Sequence, residues 1–366
     1  MQFRDLHRQY EAMKAEIDAA LLGVAASGSF ILGDVVAGLE RQLADYVGVK
    51  HCITCASGTD ALRLSLMALG IGPGDAVFVP DFTFFATAEA VALQGATPIF
   101  VDVCEDDFNI DVDDLFEKID HVKSHTDLRP AAVIAVDLFG QPADFTDLEL
   151  LCEGLNLHLI EDGAQGFGGS IGSRKACSFG DIGTTSFFPA KPLGCYGDGG
   201  ALFTDNDDWA ALLRSLRVHG KGSEKYDNIR IGLNSRLDAL QAAVLQVKLK
   251  HFDDELAAVN RIAQSYNERL CGKVATPIVP PSVTSSFAQY TIQTDNRDAL
   301  QARLKAAGIP SAVYYPRTMS HQLAFAPIAS LQQPCPVSER LTQTVLSLPM
   351  HPYLTEQEIE LVTEAI

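Results

Sequence analysis

Lysine 191 lies in Thr184-Thr185-Ser186-Phe187-Phe188-Pro189-Ala190-Lys191-Pro192-Leu193-Gly194, a setting unlike that of most of the chain's twelve lysines. Two aromatic residues and a proline precede it, a proline follows, and Gly194, Gly197, Gly199 and Gly200 come soon after. A residue before proline is pushed out of helical geometry, and apolar surroundings disfavour a charged ammonium. An amine held partly neutral in a dry pocket can attack a carbonyl and form an imine. On these residues alone, a loop lysine that snorkels to solvent is the competing reading.

Other residues gather round that chemistry. Ala56-Ser57-Gly58-Thr59-Asp60 follows a strand-like His51–Cys55 and opens an apolar-periodic helix to Leu69. Strand, glycine turn and helix aim several backbone N–H groups at one point, as a phosphate requires. The plainer reading is a helix capped by Ser57 or Thr59. Glu161-Asp162, Pro80-Asp81-Phe82-Thr83-Phe84 and Asp137-Leu138-Phe139-Gly140 each follow an apolar strand-like run, where α/β proteins place their ligands. A cationic stretch, Arg214, Arg217, His219, Lys221, Lys225, Arg230 and Arg236, is interleaved with glycines and reads as an anion pocket or as a solvated basic face.

The elements that must position these residues alternate. Helices over about 10–26 and 35–47 precede strand His51–Cys55. Then come strand Ala76–Val79, helix 84–94, strand Pro98–Val101, helix 112–119, strand Ala131–Val136, helix 146–154, strand His158–Ile160, and strands Gly183–Ser186 and Gly200–Thr204. Such alternation implies a mostly parallel sheet covered on both faces. A helix near 206–218 and a long helix over Leu237–Leu270 lead into an α+β region. That region has strand-like 288–294, helix 296–307, strand 311–315 and helices near 337–346 and 355–365. The expected domains are 1–236 and 237–366.

Composition excludes several classes. At 366 residues and 47% hydrophobic content the chain can bury a large core. Its 28 Lys+Arg against 47 Asp+Glu give a net charge of -19, which argues against nucleic acid and anionic membranes. An anionic substrate would then need a local cationic pocket. No apolar run approaches the ~18 residues of a membrane span, and the charged N-terminus lacks a signal-peptide core, so a cytoplasmic location is expected. Cys52-Ile53-Thr54-Cys55 has no second pair to complete a zinc site, His121 and His125 lack a zincin glutamate, and no metal is expected. Gly70-Ile71-Gly72-Pro73-Gly74 follows a helix and precedes a strand, the reverse of a dinucleotide fingerprint, and reads as a turn.

Taken together, Ser57-Gly58-Thr59-Asp60-Ala61-Leu62, Phe82-Thr83-Phe84, Glu161-Asp162-Gly163-Ala164-Gln165, Ser186-Phe187-Phe188 with Lys191, and Asn234-Ser235-Arg236-Leu237-Asp238 resemble the DegT-type sugar aminotransferases. The similarity runs from Phe3-Arg4-Asp5-Leu6 to Ser347-Leu348-Pro349-Met350. It implies fold type I, with a mostly parallel seven-stranded sheet between helices and a small C-terminal α+β domain. The implied cofactor is pyridoxal 5′-phosphate. Lys191 would hold it covalently, Asp162 would pair with its ring nitrogen, and Gln165 would meet the ring hydroxyl. Gly58, Thr59 and Ser186 would hold its phosphate, with Asn234 reaching in from a partner subunit, and Phe84 would stack on the ring. Within the family, Phe187-Phe188-Pro189, the run from Lys191 to Gly200, and Leu348-Pro349-Met350-His351-Pro352-Tyr353-Leu354 most resemble the aminotransferases for UDP-2-acetamido-2-deoxy-3-oxo-glucuronate.

That resemblance implies a homodimer, glutamate as amino donor and a product for bacterial surface polysaccharide (O-antigen). It also implies a sugar site lined by Gly28, Phe30, Ala190, Arg236, Tyr314 and Tyr315. Arg236 suits a uronate carboxylate, because its planar fork binds both oxygens. Tyr314 stands where the family usually has histidine, Ala190 where relatives often carry a hydroxyl, and Arg317-Thr318 replaces a commoner proline-containing run; all three changes fall on the sugar side. Other 3-oxo or 4-oxo nucleotide-sugars, dTDP- or GDP-linked, are the alternative substrates. A dehydratase of the same family would carry histidine in place of Lys191. A regulator that binds without turnover has no use for Lys191, Asp162 and Gln165 together.

Overall fold

A computed structural model describes residues 1–224 and 226–366. Two helices open the chain, α1 (Leu6–Ser27) and α2 (Gly33–Val47). The alternating part follows: β1 (His51–Cys55), α3 (Gly58–Ala68), β2 (Asp75–Pro80), α4 (Phe85–Leu93), β3 (Thr97–Val101), α5 (Val112–His125), β4 (Arg129–Val136), α6 (Phe145–Leu155) and β5 (His158–Asp162). A short hairpin, β6 (Ser170–Ile171) and β7 (Arg174–Lys175), precedes β8 (Ile182–Ser186), β9 (Gly200–Thr204) and α7 (Asp207–Leu216). The 32-residue helix α8 (Ala239–Leu270) crosses to β10 (Val283–Thr284), β11 (Tyr290–Gln293), α9 (Arg297–Ala306), α10 (Pro336–Thr344), β12 (Val345–Leu348) and α11 (Glu356–Glu364).

Seven strands form one sheet in the order β1-β9-β8-β5-β4-β2-β3. The pairs β2–β3, β2–β4, β4–β5 and β5–β8 are parallel, and β9 runs antiparallel to both β8 and β1. Side chains alternate across a strand, and here they separate into different cores. Val77, Val79, Ala132 and Ile134 pack with α3 and α4, whereas Ala76, Phe78, Val133 and Ala135 pack with α5 and α6. Because both faces are covered, the strands are nearly continuous apolar runs. The same alternation puts Cys52 against α2 and α8 but Cys55 against α7, as expected of a strand. Among the described residues, no group of side chains is arranged to hold a metal ion, and no helix is long and apolar enough to cross a membrane.

The expected elements recur with shifted ends, and two differ in kind. Helix α5 extends to His125 because Leu115, Ile119 and Val122 keep one buried face. The expected strand over 311–315 does not form: only Ala312 pairs, with Ser347, and the chain there lies between Pro310 and Pro316. The partner of β11 is Val345–Leu348, whose first two residues fall within the helix expected near 337–346. Its fully buried Val-Leu-Ser-Leu run fits either period. The Gly70–Gly74 segment is a turn joining α3 to β2.

Phe78 is fully buried on β2, between β4 and the edge strand β3. Phe78→Ala is expected to lower the unfolding free energy by about 3–5 kcal/mol, read from urea denaturation.

Candidate active site

The parallel strands deliver their C-terminal ends to one cavity of about 440 Å³. Residues after β1, β2, β5 and β8 form most of its wall. Ser57 caps α3 by accepting from the Asp60 amide (3.1 Å), so the capped-helix reading holds beside any ligand role. Gly58 is sterically required: a Cβ there would lie 2.7 Å from Cβ of Ser186. Gly200 performs the same service from β9, where a Cβ would lie 2.4 Å from the Ser57 carbonyl oxygen. Ser57, Gly58, Thr59 and Ser186 therefore share one wall, at the N-terminus of α3.

Asp162 and Lys191 line the same cavity. Asp162 is buried at the end of β5; it accepts from the Thr87 hydroxyl (2.9 Å) and from the Ala164 amide (3.2 Å). Burial raises its pKa, while the Thr87 hydrogen bond and the Lys191 charge pull it back. Burial likewise pushes the Lys191 amine down to about 8, against the opposing pull of Asp162. The Lys191 loop turns back on itself, its amide donating to the Phe188 carbonyl (2.8 Å). Gly194 permits that turn, since a Cβ would meet the Pro189 carbonyl oxygen at 2.4 Å.

Gln165 is buried, not a surface amide. Its Oε1 accepts from the Phe139 amide (2.7 Å), which fixes the amide's orientation, and its Nε2 donates to the Tyr315 hydroxyl (3.1 Å). Phe84, Ala190, Tyr314 and Tyr315 also line the cavity. Phe84 is 54% exposed, with its ring 6.2 Å from that of Tyr315. Sequence reasoning missed Thr87 and Gln289. The latter lines the cavity with a buried Oε1 that has no protein partner; lying in an alternating strand-like run, it gave no signal of its own. Asp137, expected among the strand-end ligand groups, instead faces inward and is fully buried beside Glu161.

Four expected site residues, Gly28, Phe30, Asn234 and Arg236, do not line this cavity. They form a second group. The Ala239 amide donates to the Phe30 carbonyl (2.9 Å), Ile31 pairs with Asp238, and Asn234 pairs with Val218. Phe30 is 46% exposed, and Arg236 has no hydrogen bond or ion pair among the described residues. Close in sequence, the cationic stretch also divides. Arg217 turns inward to Glu40 and the Thr54 carbonyl (2.7 Å). His219, Lys221 and Arg230 border a separate cavity of about 790 Å³ together with Ile229 and Ile231. Lys225 lies outside the described residues.

The profile of the DegT/DnrJ/EryC1/StrS aminotransferase family matches residues 11–366. The chain belongs to that family. It is 44% identical to the UDP-2-acetamido-2-deoxy-3-oxo-D-glucuronate aminotransferase of Pseudomonas aeruginosa, over 100% of this chain and 99% of that one. It is 43% identical to the UDP-N-acetyl-3-dehydro-alpha-D-glucosamine 3-aminotransferase of Acidithiobacillus ferrooxidans, over 99% and 96% of the two chains. A crystal structure of a DegT DnrJ EryC1 StrS aminotransferase from Brucella abortus superposes with a TM-score of 0.98 at 49% identity, covering 100% and 98%. The enzyme is thus an aminotransferase with the seven-stranded, mostly parallel α/β architecture.

Two outcomes are expected from this geometry. Gly58→Ala should displace Ser186 and weaken cofactor binding by at least about tenfold, whereas Ser57→Ala should mainly cost about 1 kcal/mol of helix capping; cofactor titration and thermal melting separate the two. In protein stripped of cofactor, competitive acylation of Lys191 should rise with pH through a midpoint near 8, because the amine loses its proton there rather than at 10.5. Peptide mass spectrometry of the acylated lysines gives that profile.

Proposed function

We propose that this enzyme transfers an amino group from glutamate to the 3-oxo carbon of UDP-2-acetamido-2-deoxy-3-oxo-glucuronate, in the cytoplasm, for bacterial surface polysaccharide. The observation that carries the reading is a lysine and a buried carboxylate lining one cavity, where burial lowers the pKa of the amine. Bound pyridoxal phosphate supplies an electron-accepting ring and a carbon that takes up and releases the amino group. The cavity fits it: a glycine-walled helix terminus for the phosphate, an acid for the ring nitrogen and an amine for the carbonyl.

The chain's own residues would do the rest. Gly58, Thr59 and Ser186 bind the phosphate. Asp162 holds a proton on the ring nitrogen, which requires it to be anionic; Thr87, the Ala164 amide and Lys191 favour that form. Gln165 presents its fixed amide to the ring hydroxyl. Phe84 covers the ring plane and excludes water. Lys191 Nζ would take the proton from the amino donor's α-carbon and deliver it to the cofactor carbon that takes up the amino group. In the second half-reaction it would carry a proton from that carbon to C3 of the sugar, a task suited to a pKa near the working pH.

The site draws on a second copy of the chain. Among the residues lining the cavity the only cation is Lys191, and Asp162 and Asp198 are acidic, so an anionic nucleotide-sugar needs positive charge from elsewhere. Among the described residues Arg236 has no hydrogen bond or ion pair, and the chain just after it pairs with exposed Phe30 and Ile31. Exposed Phe84 and Phe188 rim the cavity, and Ile229 and Ile231 project from the cationic loop. In a homodimer these apolar surfaces would cover one another, bringing Asn234 to the cofactor phosphate and Arg236, with Gly28 and Phe30, to the sugar beside Ala190, Tyr314 and Tyr315. The uronate is favoured over its uncharged counterpart because Arg236 offers a free planar fork. The division at residues 236 and 237 places the lysine loop on the first domain and both tyrosines on the second.

Lys191→Ala should abolish turnover and the visible absorbance of the bound cofactor; full activity in that variant would refute the assignment. The pyridoxamine form, mixed with a panel of 3-oxo and 4-oxo sugar nucleotides, should revert spectrally fastest with the UDP-linked 3-oxo uronate. Arg236→Lys should weaken that substrate far more than the analogue with an uncharged C6, and equal losses would remove the carboxylate assignment.

A further inference from the structure

The N-terminal segment touches the active site from behind. The Phe3 carbonyl accepts from the Met350 amide (3.2 Å), its ring meets Tyr314 edge-on at 6.2 Å, and Asp5 caps α1 by accepting from the Arg8 amide (2.9 Å). Between these anchors, Arg4 Nη2 donates to the carbonyl of Lys191 (2.9 Å) and of Pro192 (3.4 Å). On the other side of the same loop, buried Lys248 of α8 donates to the Gly194 carbonyl (2.7 Å). The loop that presents the reactive amine is therefore gripped at three carbonyls by two cations from elements distant in sequence.

Arg4 is unusual in its charge balance. It makes no ion pair with a carboxylate among the described residues; the acid whose field reaches it is Glu255, which is engaged by Gln9 and Tyr353. Beside that one acid, Lys191, Lys248 and His351 all feel its charge. A half-buried guanidinium that needed only to be satisfied would be expected beside a carboxylate. Here it is held by main-chain oxygens, and its positive charge is left facing the lysine.

We propose that Arg4 is a positioning residue for Lys191, fixing the lysine's backbone through two carbonyls and setting a positive field at its amine. Burial acts on the amine in the same direction as Arg4, and Asp162 acts in the other. The neutral amine is the form that attacks a carbonyl and accepts a proton. The field thus favours the working state, and the grip keeps the amine pointed into the cavity.

The inference rests on the cofactor reading above, and the experiment separates the two. Arg4→Gln keeps an amide donor and loses the charge; Arg4→Lys keeps the charge and loses the forked grip. Each cofactor-loaded protein is titrated with pH in the visible band that depends on Lys191, alongside kcat, KM and thermal melting. Arg4→Gln should move the spectral midpoint upward by about half a pH unit or more, because removing a nearby cation makes protonation easier. Arg4→Lys should leave the midpoint in place and lower kcat several-fold with little change in KM. A folded Arg4→Gln protein with the wild-type midpoint overturns the proposal. If Arg4→Gln does not fold, Arg4→Lys decides: lowered kcat at an unchanged midpoint supports it, and any other result overturns it. A visible band that survives in Lys191→Ala would instead sink the cofactor reading.

Discussion

The site depends on an opposed pair of charges taken out of water together. Burial alone would discharge both Asp162 and Lys191, pushing the acid up and the amine down. Each is the other's opposing influence, and the protein weights the two sides differently. Asp162 has a hydroxyl and an amide donating to it, so its anion is reinforced. Lys191 has no comparable acceptor at its amine and meets a second cation, Arg4. The same desolvation therefore leaves an acid supported in its charged form and a base that gives up its proton readily.

The sheet makes that pairing possible. Parallel strands bring their C-terminal ends to one edge, and close contact there needs glycine: Gly58 against Ser186, Gly200 against Ser57. Two further acids lie just beneath. Asp137 and Glu161 are both fully buried, and the Glu161 carboxylate accepts from the Cys177 and Phe179 amides. Burial, first, and the neighbouring Glu161 push the Asp137 carboxyl well up, toward its neutral form. Gly166 makes room for that pair, since a Cβ there would lie 2.0 Å from Asp137 Oδ2. Keeping Asp137 neutral spares Asp162 one further negative charge at close range.

What the sequence disclosed follows from how local each signal is. Ser57-Gly58-Thr59, Glu161-Asp162 and the Lys191 loop were legible because strand, turn and ligand group are contiguous. The alternation of strand and helix was legible because both sheet faces are apolar. Thr87 and Gln289 were not, since Thr87 meets Asp162 and Gln289 meets the cavity only through the folding of other elements. Two errors share one cause: Val345–Leu348 and the segment 311–315 are both short apolar stretches whose partner strand decides the outcome. Arg217 was counted with a surface cation cluster, yet Glu40, 177 residues away, draws it into the interior.

Net charge makes the arrangement of cations a constraint as well as a convenience. A chain of -19 repels an anionic nucleotide-sugar at long range. Affinity must then come from short-range donors whose balancing acids are kept away. Arg4 meets carbonyls, Lys248 meets a carbonyl, and Arg236 has no partner among the described residues. Several other cations are paired with acids: Arg8 with Glu358, Arg129 with Asp75, Arg174 with Glu149, Arg217 with Glu40. An acidic protein can carry a site for anions only by leaving a few basic groups unneutralised. Here Arg4 and Lys248 lie behind the lysine loop, and Arg236 lies on the patch that a second copy of the chain would bring to it.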